Sequence, residues 1–156
     1  MRVDNSRQKN CRWYTGSGIY RHVWLLASNP VYIDDWGVYV TTPEVRGNDA
    51  IVRVKTTVQN KSMTEETALT VSVKMKEETV ASCPLTVGVQ TQGEASCEFV
   101  AHGLALWSPE SPNLHELTVE VRDAKGTLLD SRCQSFGVRT FTYSAEKGFC
   151  LNGIPI

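Results

Sequence analysis

The sequence has no excess of one charge and no long apolar run. It contains 16 basic and 17 acidic residues among 156, a formal net charge of −1. Nucleic acids and anionic membranes bind concentrated basic surfaces, so we expect neither as a partner. The longest apolar run, residues 23–27, is far shorter than the roughly 20 residues that span a bilayer. With 41% hydrophobic and 21% charged residues, the composition is typical of a globular domain.

Cysteine and histidine patterns that bind metals or carry catalysis are also missing. The five cysteines are widely spaced and form no CxxC motif, which argues against structural zinc. The three histidines are far apart and belong to no Ser-His-Asp or Cys-His arrangement, so we expect them to be surface or packing residues. They are His22, His102 and His115. We expect no metal and no cofactor in this chain.

The cysteines leave two interpretations open. Cys97 and Cys133 lie in segments of alternating polarity, where a small thiol packs well, and this favours buried free cysteines. A disulfide such as Cys83 to Cys97 is the alternative, because sequence alone cannot test its geometry.

Paired acids and one glycosylation sequon are weak signals. The acidic pairs 34–35, 65–66 and 77–78 lie in or beside predicted turns, where solvated carboxylates are usual. Adjacent acids diverge in direction and do not by themselves make a paired-carboxylate site. Asn60-Lys61-Ser62 matches the sequon, which often occurs by chance.

What the sequence does have is alternation of apolar and polar residues with a period of two, the pattern of half-buried strands. Turn signals separate the alternating segments about every 10 residues. The predicted strands are 36–45, 52–59, 69–76, 85–89, 95–99, 117–122 and 127–139. We therefore predict an all-β fold, an immunoglobulin-like β-sandwich of about seven antiparallel strands. The cysteine pair of antibody domains is missing, so this likeness is architectural only.

Segments at both ends lie outside the seven strands. Residues 16–28 are predicted as a further, stray N-terminal strand, and Gly137 is predicted as a bulge where the last strand bends. Asn152-Gly153 predicts a type I′ hairpin turn. Only three residues follow it, and Pro155 cannot donate to a ladder, so we expect no useful second arm.

Two aromatic segments are candidates for binding. "LWSPESPNLHEL" (106–117) joins Trp107 to two prolines, which favours a packed loop; the alternative is an exposed indole that stacks on sugars. "CRWYTGSGIYR" (11–21) concentrates Arg12, Trp13 and Tyr14 beside two glycines, as in aromatic loops that line sugar pockets.

Four ordered motifs resemble those of glycoside hydrolase family 2, which contains β-galactosidases, β-glucuronidases and β-mannosidases. They are "RWYTGSGIYRHVWL", "LWSPESPNLHELTVEV", "FGVRTF" and "FCLNGIPI", and the first is most like the β-galactosidase form. The resemblance implies three parts: residues 1–28 as the end of a jelly-roll sugar-binding domain, 30–143 as the sandwich, and 144–156 as the start of a TIM-barrel catalytic domain.

The resemblance also implies where the chemistry lies. The two catalytic glutamates of the family would follow Ile156, so we expect no catalytic residue and no activity in this chain. The parent would be a retaining hydrolase, whose two carboxylates stand about 5–5.5 Å apart. Its partners would be the neighbouring sugar-binding and barrel domains and a β-glycoside substrate. Because many such enzymes degrade external glycans, a periplasmic or extracellular bacterial parent is favoured.

One position of the family pattern departs here. Six residues before the second glycine of "GSGIYR", several family members have an acid that contacts sugar hydroxyls, and this chain has Arg12. A guanidinium cannot accept hydrogen bonds but can donate them to sugar oxygens. In the full enzyme, Arg12, Trp13 and Tyr14 are thus the predicted substrate-binding residues.

Two other functions remain open at this point, a stand-alone carbohydrate-binding module and an adhesion sandwich. A self-contained module has no reason to stop inside a hairpin, which favours the family 2 spacer. If the hairpin is cut off from a barrel, we expect residues 147–156 to be poorly ordered or held by a crystal contact. A well-packed terminal hairpin would weaken this interpretation.

Overall fold

The computed structural model describes residues 2–7, 9 and 16–156, and within them all regular structure is β-strand. No helix in this part of the chain is long and apolar enough to cross a membrane. The strands are β1 (Val31–Arg46), β2 (Asp49–Asn60), β3 (Thr67–Met75), β4 (Glu78–Val87), β5 (Gln92–Ala101), β6 (His115–Asp123), β7 (Leu128–Phe136), β8 (Phe141–Ser144), β9 (Gly148–Leu151) and β10 (Ile154–Pro155).

The first seven strands form two antiparallel sheets in the orders β1-β2-β5 and β4-β3-β6-β7. This arrangement confirms the predicted immunoglobulin-like sandwich, because each of the seven predicted segments is one of its strands. β1 begins earlier than predicted, at Val31.

The core lies between the two sheets and consists of the inward residues of each alternating strand. Val52, Val54 and Val58 of β2 face Val71 and Val73 of β3 across this core, and all five side chains are fully buried. Burying one such side chain contributes about 1.5–3 kcal/mol. The alternation of apolar and polar residues therefore forms strands with one apolar face, and the burial of these faces stabilises the packing of the two sheets.

The predicted free cysteines need correction. Cys97 of β5 is buried, as expected, but forms a disulfide with Cys83 of β4, and the two Cα atoms are 5.9 Å apart. This bond links the two sheets. Cys133 is free but exposed, because its cross-strand partner Thr118 lies on the outer face of the sheet. Cys150 is free and buried.

The predicted stray strand over residues 16–28 is wrong for this chain. The segment has no strand, and Trp24 and Leu25 are 77% and 98% exposed. A strand needs a neighbour for its backbone N–H and C=O groups. None of the described strands pairs with this segment.

The C-terminal strands form a separate sheet in the order β10-β9-β8. Asn152 and Gly153 have φ of 51° and 80°, which confirms the predicted type I′ turn. The expectation that the second arm makes no useful ladder is wrong here, and a well-paired hairpin weakens the argument that it is cut off from a barrel. Ile154 and Pro155 pair with β9, Ile156 N–H donates to the Phe149 carbonyl at 3.2 Å, and Leu151 is buried.

Candidate functional site

The residues predicted to contact sugar, Arg12, Trp13 and Tyr14, lie outside the described residues. Their role stays a prediction. Of the two predicted binding segments, the structure describes all of the Trp107 loop and only residues 16–21 of the other, which are exposed.

Trp107 is a packing residue rather than an open stacking surface. The guanidinium of Arg139 lies 5.2 Å from the centre of the indole and covers one face. On another side, a Cβ on Gly137 would stand 3.1 Å from the Trp107 Cβ, so a larger residue there would push the Trp107 side chain by a few tenths of an ångström. The packed-loop interpretation is confirmed. The predicted bend at Gly137 coincides with the end of β7 and with this contact.

The Trp107 loop also anchors the C-terminal hairpin. The Asn152 side-chain amide donates to the Trp107 carbonyl at 2.9 Å, and its Oδ1 accepts from the Thr140 N–H at 2.9 Å. The Asn152 N–H donates back to the Thr140 carbonyl at 2.8 Å. One side chain thus fixes the turn of the hairpin against the end of the sandwich. We call the contacts of Trp107, Gly137, Arg139, Thr140 and Asn152 the joint.

The histidines are dispersed over the surface. His102 contacts Asp49 at 3.1 Å, and the Nε2 of His115 lies 2.9 Å from the Ala105 carbonyl. His22 stands beside the Trp24 ring, 5.6 Å between centroids. Among the described residues, no three His, Cys, Asp or Glu side chains gather as metal ligands.

Four carboxylates have lowered pKa values, those of Asp4, Asp49, Glu120 and Asp123, and two of them lie in ion pairs between strands or loops. The His102 hydrogen bond, then the Gly103 N–H, lowers the pKa of the exposed Asp49. The Lys74 hydrogen bond is the largest cause that lowers the pKa of Glu120, and Arg122 adds to it. Lys74 Nζ lies 2.7 Å and Arg122 Nη2 2.9 Å from Glu120 on the outer face of the sheet. A carboxylate held charged between two cations stabilises the sheet and is poorly suited to general acid catalysis.

Asn60 of the sequon is fully buried. Its amide donates to the Glu65 and Val87 carbonyls at 3.0 and 3.1 Å, and its Oδ1 accepts from the Ser62 N–H at 2.9 Å. The folded chain therefore cannot present this side chain for glycosylation.

The most unusual surface feature, which the sequence reasoning missed, is a bulge in β1. The register with β2 shifts between Ile33 and Val38, and Trp36 there has φ of 60° and is 100% exposed. A Cβ on Gly37 would lie 2.7 Å from the Asp34 carbonyl oxygen, so only glycine closes the bulge. The sequence contains a signal for this bulge. Apolar residues stand at odd positions before it, as Val31 and Ile33 do, and at even positions after it, as Val38 and Val40 do.

Comparison with known proteins identifies the family. The model for glycosyl hydrolases family 2 matches residues 31–139, the whole seven-stranded sandwich. The chain belongs to glycosyl hydrolase family 2. The resemblance seen in the four motifs is confirmed.

Relatives of this family 2 chain include proteins named as a beta-galactosidase and as a putative beta-glucuronidase. Beta-galactosidase BoGH2A of Bacteroides ovatus is 35% identical over 98% of this chain and 18% of its own length. A putative beta-glucuronidase of Formosa agariphila is 28% identical over 98% of this chain and 14% of its own. This chain thus spans less than a fifth of the length of these relatives.

Solved structures of the family show the same fold. A family 2 member from Bacteroides cellulosilyticus matches with a TM-score of 0.80 and 34% identity, over 97% of this chain and 21% of that one. A beta-glucuronidase of Bacteroides uniformis matches with a TM-score of 0.77 and 27% identity, over 99% of this chain and 20% of that one.

Proposed function

We propose that residues 30–143 are a non-catalytic spacer sandwich of a retaining β-glycosidase, most specifically a β-galactosidase. The observation that carries this proposal is the family match over residues 31–139 in a chain that spans 18% of its β-galactosidase relative. The higher identity to that relative, 35% against 28% for the glucuronidase, favours galactosides.

We also propose that the flanking segments belong to neighbouring domains. Residues 1–28 would end a jelly-roll sugar-binding domain, and 144–156 would begin a TIM barrel that holds the two catalytic glutamates. The exposed apolar side chains of 16–28, such as Val23, Trp24 and Leu25, fit a segment that pairs within another sheet.

The joint supports a positioning role for the sandwich. Asn152 makes three short hydrogen bonds to the loop and linker, so the hairpin has a defined place at the end of the sandwich. If the hairpin leads into a barrel, the joint sets the direction in which the barrel leaves. A stand-alone sugar-binding module built on Trp107 is less well supported, because Arg139 covers that indole.

Two measurements test this proposal. The purified chain is assayed with nitrophenyl β-galactoside and β-glucuronide, and we expect no turnover of either. The coding DNA after Ile156 is then read, and we expect a continuation of alternating strands and helices with two barrel glutamates. A stop codon at that point, or hydrolysis by this chain alone, would overturn the proposal.

The substrate is tested separately on the longer protein. We expect faster hydrolysis of the β-galactoside than of the β-glucuronide. The opposite order would keep the spacer role and reject the galactoside assignment.

A further inference from the structure

Trp36 occupies a position that folding alone does not explain. Its side chain is 100% exposed, so it contributes nothing to the core, and its φ of 60° is in the left-handed region. For a residue with a Cβ, this conformation costs about 1–2 kcal/mol. Backbone strain of this kind concentrates at binding and active sites.

The bulge that carries Trp36 is held rigid. The Asp34 carboxylate accepts hydrogen bonds from the Asp35 N–H and from the Gln59 amide, both at 3.0 Å. Gln59 in turn donates to Gln92 of β5 at 2.9 Å. Gly37 packs between Asp34 and the Thr57 carbonyl. A ligand that stacks on Trp36 would therefore not have to order the loop first, which favours binding.

A groove extends from Trp36 along the open side of the sandwich, between β1 and β7. Beside the indole is a hollow of about 210 Å³, lined by Asp35, Arg132 and Gln134 among others. It shares Val38 and Gln134 with a crevice of about 510 Å³ that reaches Phe141. The binding surface is thus elongated, with exposed aromatic rings near both ends.

The polar groups of this groove have hydrogen-bonding capacity to spare. The amide nitrogen of Gln134 donates to the Ser135 carbonyl at 2.9 Å, and no described residue donates to its Oε1. The guanidinium of Arg132 lies 3.9 Å from Asp130, beyond hydrogen-bond distance. The Asp35 carboxylate accepts no hydrogen bond from the described residues. Both donors and acceptors are therefore available to a ligand.

This combination matches a sugar better than it matches a protein. The C–H face of a pyranose packs on a flat indole, while its hydroxyls both donate and accept hydrogen bonds. A protein partner with a stable interface buries about 1,200–2,000 Å² around a contiguous apolar centre. In this groove, Asp35, Arg132 and Gln134 lie beside Trp36, and the apolar residues Val40 and Phe136 line the crevice toward Phe141. An added peptide strand needs an unbroken edge, which the bulge interrupts in β1.

We propose that the groove between β1 and β7 binds a neutral oligosaccharide, with one sugar ring stacked on Trp36 and its hydroxyls bonded to Asp35, Arg132 and Gln134. This site would give the sandwich a binding role of its own. It goes beyond the proposed spacing role, and neither proposal depends on the other.

The test is a titration of the chain with a neutral galactan tetrasaccharide and a neutral xylan tetrasaccharide, followed by the indole N–H signals in NMR spectra. We expect the Trp36 signal to shift and saturate with at least one of them. Trp36→Ala should lower the affinity about tenfold or more. It should leave the fold intact, because the indole makes no core contact. Gln134→Ala should weaken binding less.

Trp24→Ala is the matched control, because Trp24 is 77% exposed but lies outside the groove. Its affinity should equal that of the unchanged chain. A Trp36 signal that neither sugar shifts, or an equal loss of affinity in both variants, would overturn the proposal. So would protection of Trp36 from radical oxidation in the longer protein without sugar, since the groove would then be a contact between domains.

Discussion

Asn60 is the residue whose side chain carries the densest set of internal hydrogen bonds described above. Asn60→Ala would leave the Glu65 and Val87 carbonyls and the Ser62 N–H without this partner. The Val87 bond is buried and the other two are partly buried, so water can replace part of what is lost. An unsatisfied buried group costs about 1–3 kcal/mol, and we expect the free energy of unfolding to fall by an amount in this range. Urea unfolding measures it. The control, Asn29→Ala, removes one exposed hydrogen bond to the Leu129 carbonyl and should cost less than about 1 kcal/mol.

Glu120 gives a prediction of pH dependence. Its pKa is lowered in the folded chain, chiefly by the Lys74 hydrogen bond, so its charged form stabilises the fold. That stability is present above the pKa of the unfolded chain and is lost as pH falls through the lower folded pKa. We expect Glu120→Gln to lower the unfolding free energy at neutral pH, and the difference to vanish in acid.

Thermal unfolding of Glu120→Gln and of the unchanged chain, measured from neutral pH into acid, checks the Glu120 prediction. Glu116→Gln is the control, because Glu116 is exposed on the same strand and no ion pair to it is described. A constant difference between Glu120→Gln and the unchanged chain at every pH would contradict the assigned cause.

At the scale of elements, the hairpin should depend on the joint. Asn152→Ala removes the two side-chain hydrogen bonds, to the Trp107 carbonyl and from the Thr140 N–H. It also places alanine, which favours the αL region less than asparagine does, at φ 51°. We expect hydrogen exchange in β8–β10 to accelerate by about tenfold or more, a local loss of about 1.4 kcal/mol, with the core strands unchanged. Asn152→Gly keeps the turn conformation and should show the part due to the side chain alone.

The end of β7 offers a second test of the joint. A Cβ in Gly137→Ala would meet the Trp107 Cβ, Cγ and Cδ1 at 3.1–3.2 Å, so the indole must move away. Overpacking of this kind costs about 1–3 kcal/mol. We expect a lower melting temperature and a changed near-ultraviolet signal of Trp107. In Gly16→Ala the nearest contact is 3.6 Å, and this control should change neither.

The elements also show how far sequence reasoning extends. The seven strands and the type I′ turn were predictable, because alternation and Asn-Gly are local signals that the tertiary structure agrees with. The prediction of a strand over 16–28 was wrong because a strand requires a pairing partner, and the local sequence does not show whether one is present. The prediction that Cys133 is buried was wrong because its register with β6 decides which face of the edge strand β7 it lies on. The bulge was readable from a phase change, but its exposed indole was not.

For the whole molecule, the sandwich should fold without the segment before it. Among the described residues before β1, Asn29 makes one side-chain bond to the sandwich, and residues 16–28 are exposed. We expect a chain that begins at residue 29 to keep its unfolding free energy within about 1 kcal/mol. It should also self-associate less, because large exposed apolar side chains are removed. Calorimetry and light scattering measure the two effects, and a large loss of stability would show that the segment packs on the sandwich.

The bulge at residues 34–37 has a consequence for how copies of this chain meet one another. β1 is the outer strand of its sheet, and an outer strand with a continuous row of free N–H and C=O groups is a template for another chain. The register break and the exposed Trp36 interrupt that row, and Pro43 removes one more donor. A protein that keeps this bulge for binding is thereby also protected against fibre growth from that edge. Five residue steps in β1, from Ile33 to Val38, lie opposite two in β2, so deleting the three residues 35–37 would restore the register. The straightened edge would turn a sugar-facing surface into a nucleus for aggregation.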